Sequence, residues 1–525
     1  MLTTGLSITG AAVQGRWPPP SALLDLDFRQ DRYVQAGTGR RFDELLAYSG
    51  SGPRTFTGPA GACLWAAHNL VLNSETPATQ TITVDTAAGY TVAMQGPGSV
   101  ALSGAAAGTA AEGSPAVVTA GSAALTLTVS GTVTRMWAYR SDLGGMADNP
   151  DNLLGAGFET YVPSAASPVF KARRNAYENG APAGIKIESG TAENLLLHTL
   201  APAANWASPN STLAEVPGGF VRITSNGTGN YPRAERADVG GGAGTYTAQV
   251  EVRAGNSGGF VFRASGTGFS GGGDSVAYRF DFSTGTFSKL AAAPALYPPV
   301  AALVSPGVYR LAMTFTAATV TSFSMYPAWN DSTPGVYADF RRPQLEPGHT
   351  PTSFIPTAGS TAARPGETLA LRASALPASM PDAVSLALDG RLHFAGTGAA
   401  AAARFFDWQA GAGAFLRAEL NTGGGATGQI RVVSGQSGSA STASGPAAAY
   451  APGLDVPVSF AARHQAAVLE LVDQGEAAPG TPAPSGLPDL AAAGIGLAPV
   501  FNGHLGRFRI WNRDLGSPGA GRMPA

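Results

Sequence analysis

GIKIESGTAENLLLHTLAPAANW, residues 184–206, and QLEPGHTPTSFIPT, residues 344–357, decide how this chain is read. Between them lies a series of segments in which apolar and polar residues alternate: FVRITSNG (220–227), GTYTAQVEVRAG (244–255), SGGFVFRASG (257–266), SVAYRFDFSTGTFSKL (275–290), GVYRLAMTFTA (307–317) and VTSFSMYPAW (320–329). Successive side chains of a strand point to opposite faces, so a period of two marks half-buried strands. Turns containing Gly or Asn separate the segments. The pattern predicts an antiparallel sandwich of jelly-roll type over 190–357, with the two tracts as its first and last strands.

The same alternation extends in both directions. QTITVDTAAGYTVAMQGPGSVALSG (80–104) and AALTLTVSGTVTRMWAYR (123–140) predict a small sandwich over 61–141, with Leu125, Leu127, Val129 and Val133 on one face. AVSLALDGRLHFAG (383–396), FLRAELNTGGGATGQIRVVSG (415–435), VPVSFAARHQAAVLELVDQG (456–475) and NGHLGRFRIWNRDLG (502–516) predict another over 358–525. Ala399–Ala403 has helical composition, but its Gly-rich flanks favour a loop or strand edge. Residues 142–189, with DNPDN turn chemistry, are expected to be an extended connector. Residues 1–60 are expected to form an attachment arm followed by strands at LLDLDF (23–28) and FDELLAYS (42–49); Pro18, Pro19 and Pro20 favour an extended polyproline segment at its start. The expected fold class is all-β: several antiparallel sandwiches in series, with little helix.

Composition agrees. Gly contributes 69 and Pro 39 of 525 residues, and 13% are charged while 44% are hydrophobic, which suits short strands and tight turns better than disorder. A net charge of −2 without a basic stripe speaks against nucleic-acid binding, and no stretch of about 18 apolar residues offers a membrane span. No Lys or Arg precedes Arg16, so the charged start of a signal peptide is missing and synthesis in a cytoplasm is expected. Cys63 is the sole cysteine, which excludes an internal disulfide and a cysteine-based zinc site.

Residues 184–199 resemble a recurrent tract of bacteriophage tail- and head-fibre proteins, in which a Gly-aliphatic-Glu strand leads to Asn-Leu-Leu and then a Trp. Gly184, Ile185, Ile187, Glu188, Asn194, Leu195, Leu196 and Trp206 match, while Ala192-Glu193 stands where the tract usually has Arg-Thr. Gln344, Leu345, Glu346, Gly348, Thr352, Ser353, Ile355, Pro356 and Thr357 match the tract that closes the same domain. LDLDF, FDELLAYS and HNLVLNSE resemble that family's N-terminal motif, and GYTVAMQGPGSVALSG its small β-module. NGHLGRFRIWNRDLG resembles the closing strand of laminin-G or concanavalin-like lectin folds. The resemblance implies carbohydrate-binding-like modules on a phage or gene-transfer-agent particle. It also implies no cofactor beyond a structural Ca²⁺, for which no D-x-[DN]-x-[DN]-G loop is present.

Catalytic signals are weak. GNSGG (255–259), GFSGG (268–272) and GQSGS (435–439) approach the G-x-S-x-G elbow, but no helix is expected after any of them and hairpin turns explain them better. The histidines His68, His198, His349, His393, His464 and His504 are scattered without ligand spacing. Sugars are held by an aromatic face against the pyranose C–H face, with Asn, Asp, Gln or Arg bonding the hydroxyls. That chemistry selects Trp206, Tyr231 with Arg233, Trp329 with Asn330 and Asp331, and Trp408 as candidates, each of which has a core-packing role as its plain alternative. The expected function is a non-enzymatic virion fibre or spike that binds host surface polysaccharide. It would be joined to capsid or tail proteins and assembled as a homo-oligomer, a trimer or, at a capsid vertex, a pentamer. A purely structural connector, a capsule-degrading enzyme and a secreted adhesin are the alternatives.

Overall fold

The computed structural model describes residues 21–396 and 402–517. Residues 1–20 of the expected arm and Ala399–Ala401 of the Ala-rich stretch lie outside them; Ala402–Gly411 is a strand. The chain is almost wholly β, and every strand pairing between named strands is antiparallel. No described helix is long and apolar enough to cross a membrane.

Three sandwiches carry separate cores. In the small one, strands Gly108–Ala110, Ser99–Gly104, Ala124–Ser130 and Gln80–Thr83 form one sheet, and Ala116–Thr119, Gly89–Gln95 and Arg135–Arg140 the other. Leu125 and Leu127 point inward and are fully buried, while Thr126 and Thr128 point outward, as the pleat requires. The central sandwich packs a six-stranded sheet, which includes Gly244–Arg253 and Tyr337–Pro347, on a five-stranded one that includes Ala234–Gly241 and Thr319–Tyr326. Phe260, Phe262, Phe280, Phe315 and Phe323 fill its interior. The terminal sandwich faces a ten-stranded sheet against a seven-stranded one.

The terminal sandwich draws on distant sequence, and here two expectations need correction. Residues 24–49 are not part of a separate N-terminal unit. Leu24–Asp27 pairs with Asn502–Trp511, setting Leu26 opposite Phe508, and Leu46–Ser49 pairs with Thr368–Leu371 in the opposing sheet. Leu24 and Leu26 are fully buried in the same core as Phe508 and Ile510. Alternation identified these strands but carries no information on partners some 480 residues away. Within FDELLAYS, Phe42–Leu45 is a single helical turn, because Glu44 Oε2 accepts the Arg41 backbone N–H at 3.1 Å before the strand begins.

The second correction concerns 142–189 and the opening tract. Arg173–Glu178 and Ala181–Glu188 form a hairpin that continues the ten-stranded sheet, with Ile185 opposite Leu505. Gly184–Glu188 is therefore a strand of the terminal sandwich, not the first strand of the central one. Gly184 is required there: its φ is +106° and a Cβ would sit 2.0 Å from the Leu505 carbonyl oxygen. The two tracts nevertheless meet. Asn194 Oδ1 accepts the Leu345 N–H at 3.2 Å, and its Nδ2 donates to the Ile355 carbonyl at 2.8 Å.

Charged groups out of water join these parts. Arg173, wholly buried, pairs with Glu188 at 2.7 Å and with Glu367, and donates to the Thr55 carbonyl and Ser353 Oγ at 3.0 Å. Tyr48 donates to Glu367 at 2.6 Å and Arg54 lies 3.3 Å from it. Burial pushes the Glu188 carboxyl up, but Arg364, Arg173 and Lys186 outweigh it and hold the group well below the usual range. Glu251 takes Arg341 at 2.8 Å and Arg342 at 2.9 Å, and both guanidinium groups donate to the Gly61 carbonyl. Glu346 accepts from Gln344, from the Thr352 N–H and from Thr352 Oγ1, yet burial still pushes its carboxyl up to about 7.

Replacing Arg173 by Ala strands two carboxylates in the interior and is expected to cost about 3–5 kcal/mol in chemical denaturation. Glu346 acts through pH. The folded state keeps its proton up to about pH 7, whereas an ordinary glutamate releases it near 4.5, so stability falls as pH rises between those values. Glu346→Gln is expected to gain on the wild type by as much as about 3 kcal/mol between pH 4.5 and 8, measured as the difference of paired denaturation curves. A constant difference across that range rejects the assignment. His68, lowered to about 4 by burial, tilts both proteins alike in the opposite sense.

Candidate functional site

Two loops meet at one rim of the central sandwich. Residues 226–233 link Phe220–Ser225 to Ala234–Gly241, and residues 327–336 link Thr319–Tyr326 to Tyr337–Pro347. Backbone bonds clamp them: Ser225 N–H to the Val336 carbonyl at 2.8 Å, Gly335 N–H to Ser225 at 2.9 Å, and Asn226 N–H to Asn210 at 3.1 Å. Side chains complete the clamp. Asn210 Nδ2 donates to the Asn230 carbonyl at 2.6 Å, and Asn230 Nδ2 to Asn330 Oδ1 at 3.0 Å.

The clamp holds an aromatic ladder that climbs from core to solvent. Tyr326, 2% exposed, meets Trp329 edge-to-face with ring centroids 5.1 Å apart, and Trp329 meets Tyr231 in the same way at 5.1 Å. Tyr231 is 38% exposed. Its φ is +61°, and Asn330 beside it sits at +53°. A bulky residue in the left-handed region costs roughly 1 kcal/mol or more and persists only where its surroundings impose it. Tyr231 is therefore held outward against its backbone preference. Asn226, Thr228, Asn230 and Asn330 are exposed around it, with Thr228 Oγ1 donating to Asn226 Oδ1 at 2.6 Å.

Of the residues singled out by sequence, Tyr231, Arg233, Trp329, Asn330 and Asp331 come together here. Arg233 is tied to the Glu235 carboxylate, and Asp331 Oδ1 accepts the Thr333 N–H at 2.8 Å; hydrogen bonding from the Thr333 side chain and backbone lowers the Asp331 carboxyl from the usual value. Trp206 and Trp408 do not belong. Trp206, 6% exposed, packs against Phe340 and donates Nε1–H to the Leu197 carbonyl at 2.9 Å. Trp408, 1% exposed, donates to the Leu490 and Ala493 carbonyls. Both rings lie in cores with no face to offer a sugar: Trp408 is on the inward face of the strand Ala402–Gly411, and Trp206 caps the helical turn Pro202–Asn205 and turns in against Phe340. Tyr326, Asn226 and Thr228 were not selected from sequence; the last two lie in SNGTGNYP (225–232), whose density of Asn and Gly was the available signal.

The other chemical signals resolve into structure. Ser257 lies between Gly244–Arg253 and Gly259–Thr267, with its hydroxyl on the Gly259 carbonyl at 2.7 Å. Ser437 occupies a hairpin turn at φ +51°. His68 is buried and accepts the Arg140 N–H on Nε2 at 3.0 Å. A cleft of about 650 Å³ separates the small sandwich from its neighbours, but Trp65 on its wall is covered by the Arg140 guanidinium at 4.4 Å. Among the described residues, no group of three His, Cys, Asp or Glu side chains converges on the rim.

No protein-family model matches the chain, and no curated protein sequence does. Among solved structures the chain is similar to the mouse laminin alpha1 chain, domains LG4-5, at 12% identity, covering 56% of this chain and 88% of that one with a TM-score of 0.20.

If Tyr231 is a presented ring and not a structural plug, Tyr231→Gly relieves the left-handed backbone while losing one ring contact. The unfolding free energy is then expected to stay within about 1 kcal/mol of the wild type. A loss of several kcal/mol would assign the ring to packing.

Proposed function

We propose that this protein is a non-enzymatic glycan-binding adhesin whose central sandwich holds a saccharide on the Tyr231–Trp329 rim. The observation that carries this reading is the exposed, backbone-strained Tyr231, braced edge-to-face by Trp329 and ringed by Asn side chains. The Tyr231 ring offers a C–H contact face, and the exposed carboxamides of Asn226, Asn230 and Asn330 supply donors and acceptors for hydroxyls. An open rim of this kind gives weak single-site affinity, which repetition converts to firm attachment through effective concentration. The fibre-like tracts at 184–206 and 344–357 extend the proposal to its setting: the surface of a phage or gene-transfer-agent particle, in a homo-oligomer joined to other particle proteins.

The test is retention of the full chain on a panel of bacterial surface polysaccharides. Wild type is expected to bind at least one, and Trp329→Ala and Tyr231→Gly to weaken that binding about tenfold or more, equivalent to about 1.4 kcal/mol. No retention on any polysaccharide would favour a connector that only joins particle components. Release of new reducing ends would favour an enzyme. Binding unaffected by both substitutions would move the site elsewhere.

A further inference from the structure

Away from the rim, three ligand-bearing side chains converge where the Arg173–Glu178 hairpin, the terminal sandwich and the central sandwich meet. Glu178, Asp455 and His504 each offer one atom, and these atoms all lie within 4.8 Å of one another. The residues come from three different strands: Arg173–Glu178, Gly453–Gln465 and Asn502–Trp511. The placing of Asp455 has a visible cause. The register between Ala383–Phe394 and Gly453–Gln465 shifts between Leu392 and Phe394, and Asp455 sits in that irregularity at φ +50°. A bulge re-aims a side chain that a regular pleat would send elsewhere.

The cluster is left short of partners. Asp455 Oδ1 is buried with no hydrogen-bond partner among the described residues, 3.6 Å from His393 Nε2, and His504 turns Nε2 toward Glu178 Oε1 at 3.8 Å; the Asp455 and His504 side chains are 10% and 1% exposed. A buried polar atom without a partner is costly, and native proteins rarely keep one without reason. Arg310 is the cation facing both carboxylates, but at long range, 3.5 Å from Glu178 and 3.9 Å from Asp455. Lys186 is a second buried cation near both carboxylates, with Nζ 3.2 Å from His393 Nε2 and 3.8 Å from Glu188. Beside Glu178 a small pocket of about 30 Å³, also lined by Lys186 and Arg310, is large enough for one water.

We propose that Glu178, Asp455 and His504 form a binding site for a divalent transition-metal ion of the zinc class. Two carboxylate oxygens and one imidazole nitrogen form a mixed N/O set that suits Zn²⁺, Co²⁺ or Ni²⁺, whereas Ca²⁺ takes six to eight oxygens. His393 is not a further ligand. Its Nδ1 accepts the Asp455 N–H at 2.9 Å and its Nε2 meets Lys186 Nζ at 3.2 Å, so both ring nitrogens are already engaged. The ion would fasten the hairpin to the terminal sandwich, a role unrelated to saccharide binding.

The experiment uses the full chain, produced without a histidine tag in zinc-supplemented medium and washed briefly with chelator. Metal analysis is expected to find about one zinc per chain, and X-ray absorption at the zinc edge to show one imidazole nitrogen among oxygen ligands. Glu178→Gln and His504→Gln are expected to lower zinc content about tenfold or more. Should His504→Gln fail to fold, Glu178→Gln and the absorption spectrum of the wild type decide. Zinc content below about a tenth of an ion per chain, a shell without imidazole, or content unchanged in Glu178→Gln overturns the proposal.

Discussion

The Arg173 guanidinium lies out of water between the carboxylates of Glu188 and Glu367, with the Thr55 carbonyl and the Ser353 hydroxyl as further acceptors. Such a charge is tolerated in the interior only when its partners are all in place, since desolvation would otherwise exceed the attraction. Those partners come from sequence as far apart as residues 55, 188, 353 and 367. The hairpin, the end of the central sandwich and the start of the terminal one must therefore assemble together. Glu188 reinforces the point by also accepting the Ser353 N–H at 2.5 Å, and Glu367 by accepting the Glu188 N–H at 2.8 Å.

This seam differs in kind from the cores it joins. Within each sandwich, apolar burial is non-directional and tolerates repacking. Between sandwiches, carboxylates, guanidinium groups and carboxamides impose fixed geometry, so a shift of one part against another would leave charges unpaired. The arrangement of the modules is specified by hydrogen-bond direction rather than by contact area. It also explains the buried Glu346 and Gln344: they organise the turn through Thr352 and Ile355 that leads from the central sandwich to the seam.

The rim obeys the opposite logic. Its loops spend backbone strain at Tyr231 and Asn330 to expose an aromatic ring, while the sheets beneath stay regular. The loop contributing Trp329 runs directly into Tyr337–Pro347, the strand that carries Arg341, Gln344 and Glu346 to the seam. The rim is thus tied through one continuous strand to the buried charges of the seam.

Period-two alternation in stretches such as ALTLTVS and GTYTAQVEVR was sufficient to establish an all-β chain of stacked sandwiches, because burial of one face writes itself directly into local sequence. Loop composition likewise marked Tyr231, Arg233, Trp329, Asn330 and Asp331 of the rim, but not Tyr326, Asn226 or Thr228. Trp206 and Trp408 misled because a polar neighbour does not say whether a ring, on a strand or at the end of a helical turn, faces the core. Pairing lay beyond local sequence altogether: Leu24–Asp27 beside Asn502–Trp511, and Gly184–Glu188 in the terminal sheet, depend on which hydrophobic faces remain open after the rest has folded. The convergence of Glu178, Asp455 and His504 was equally hidden, since a bulge and a three-way junction create it and neither leaves a spacing that can be read along the chain.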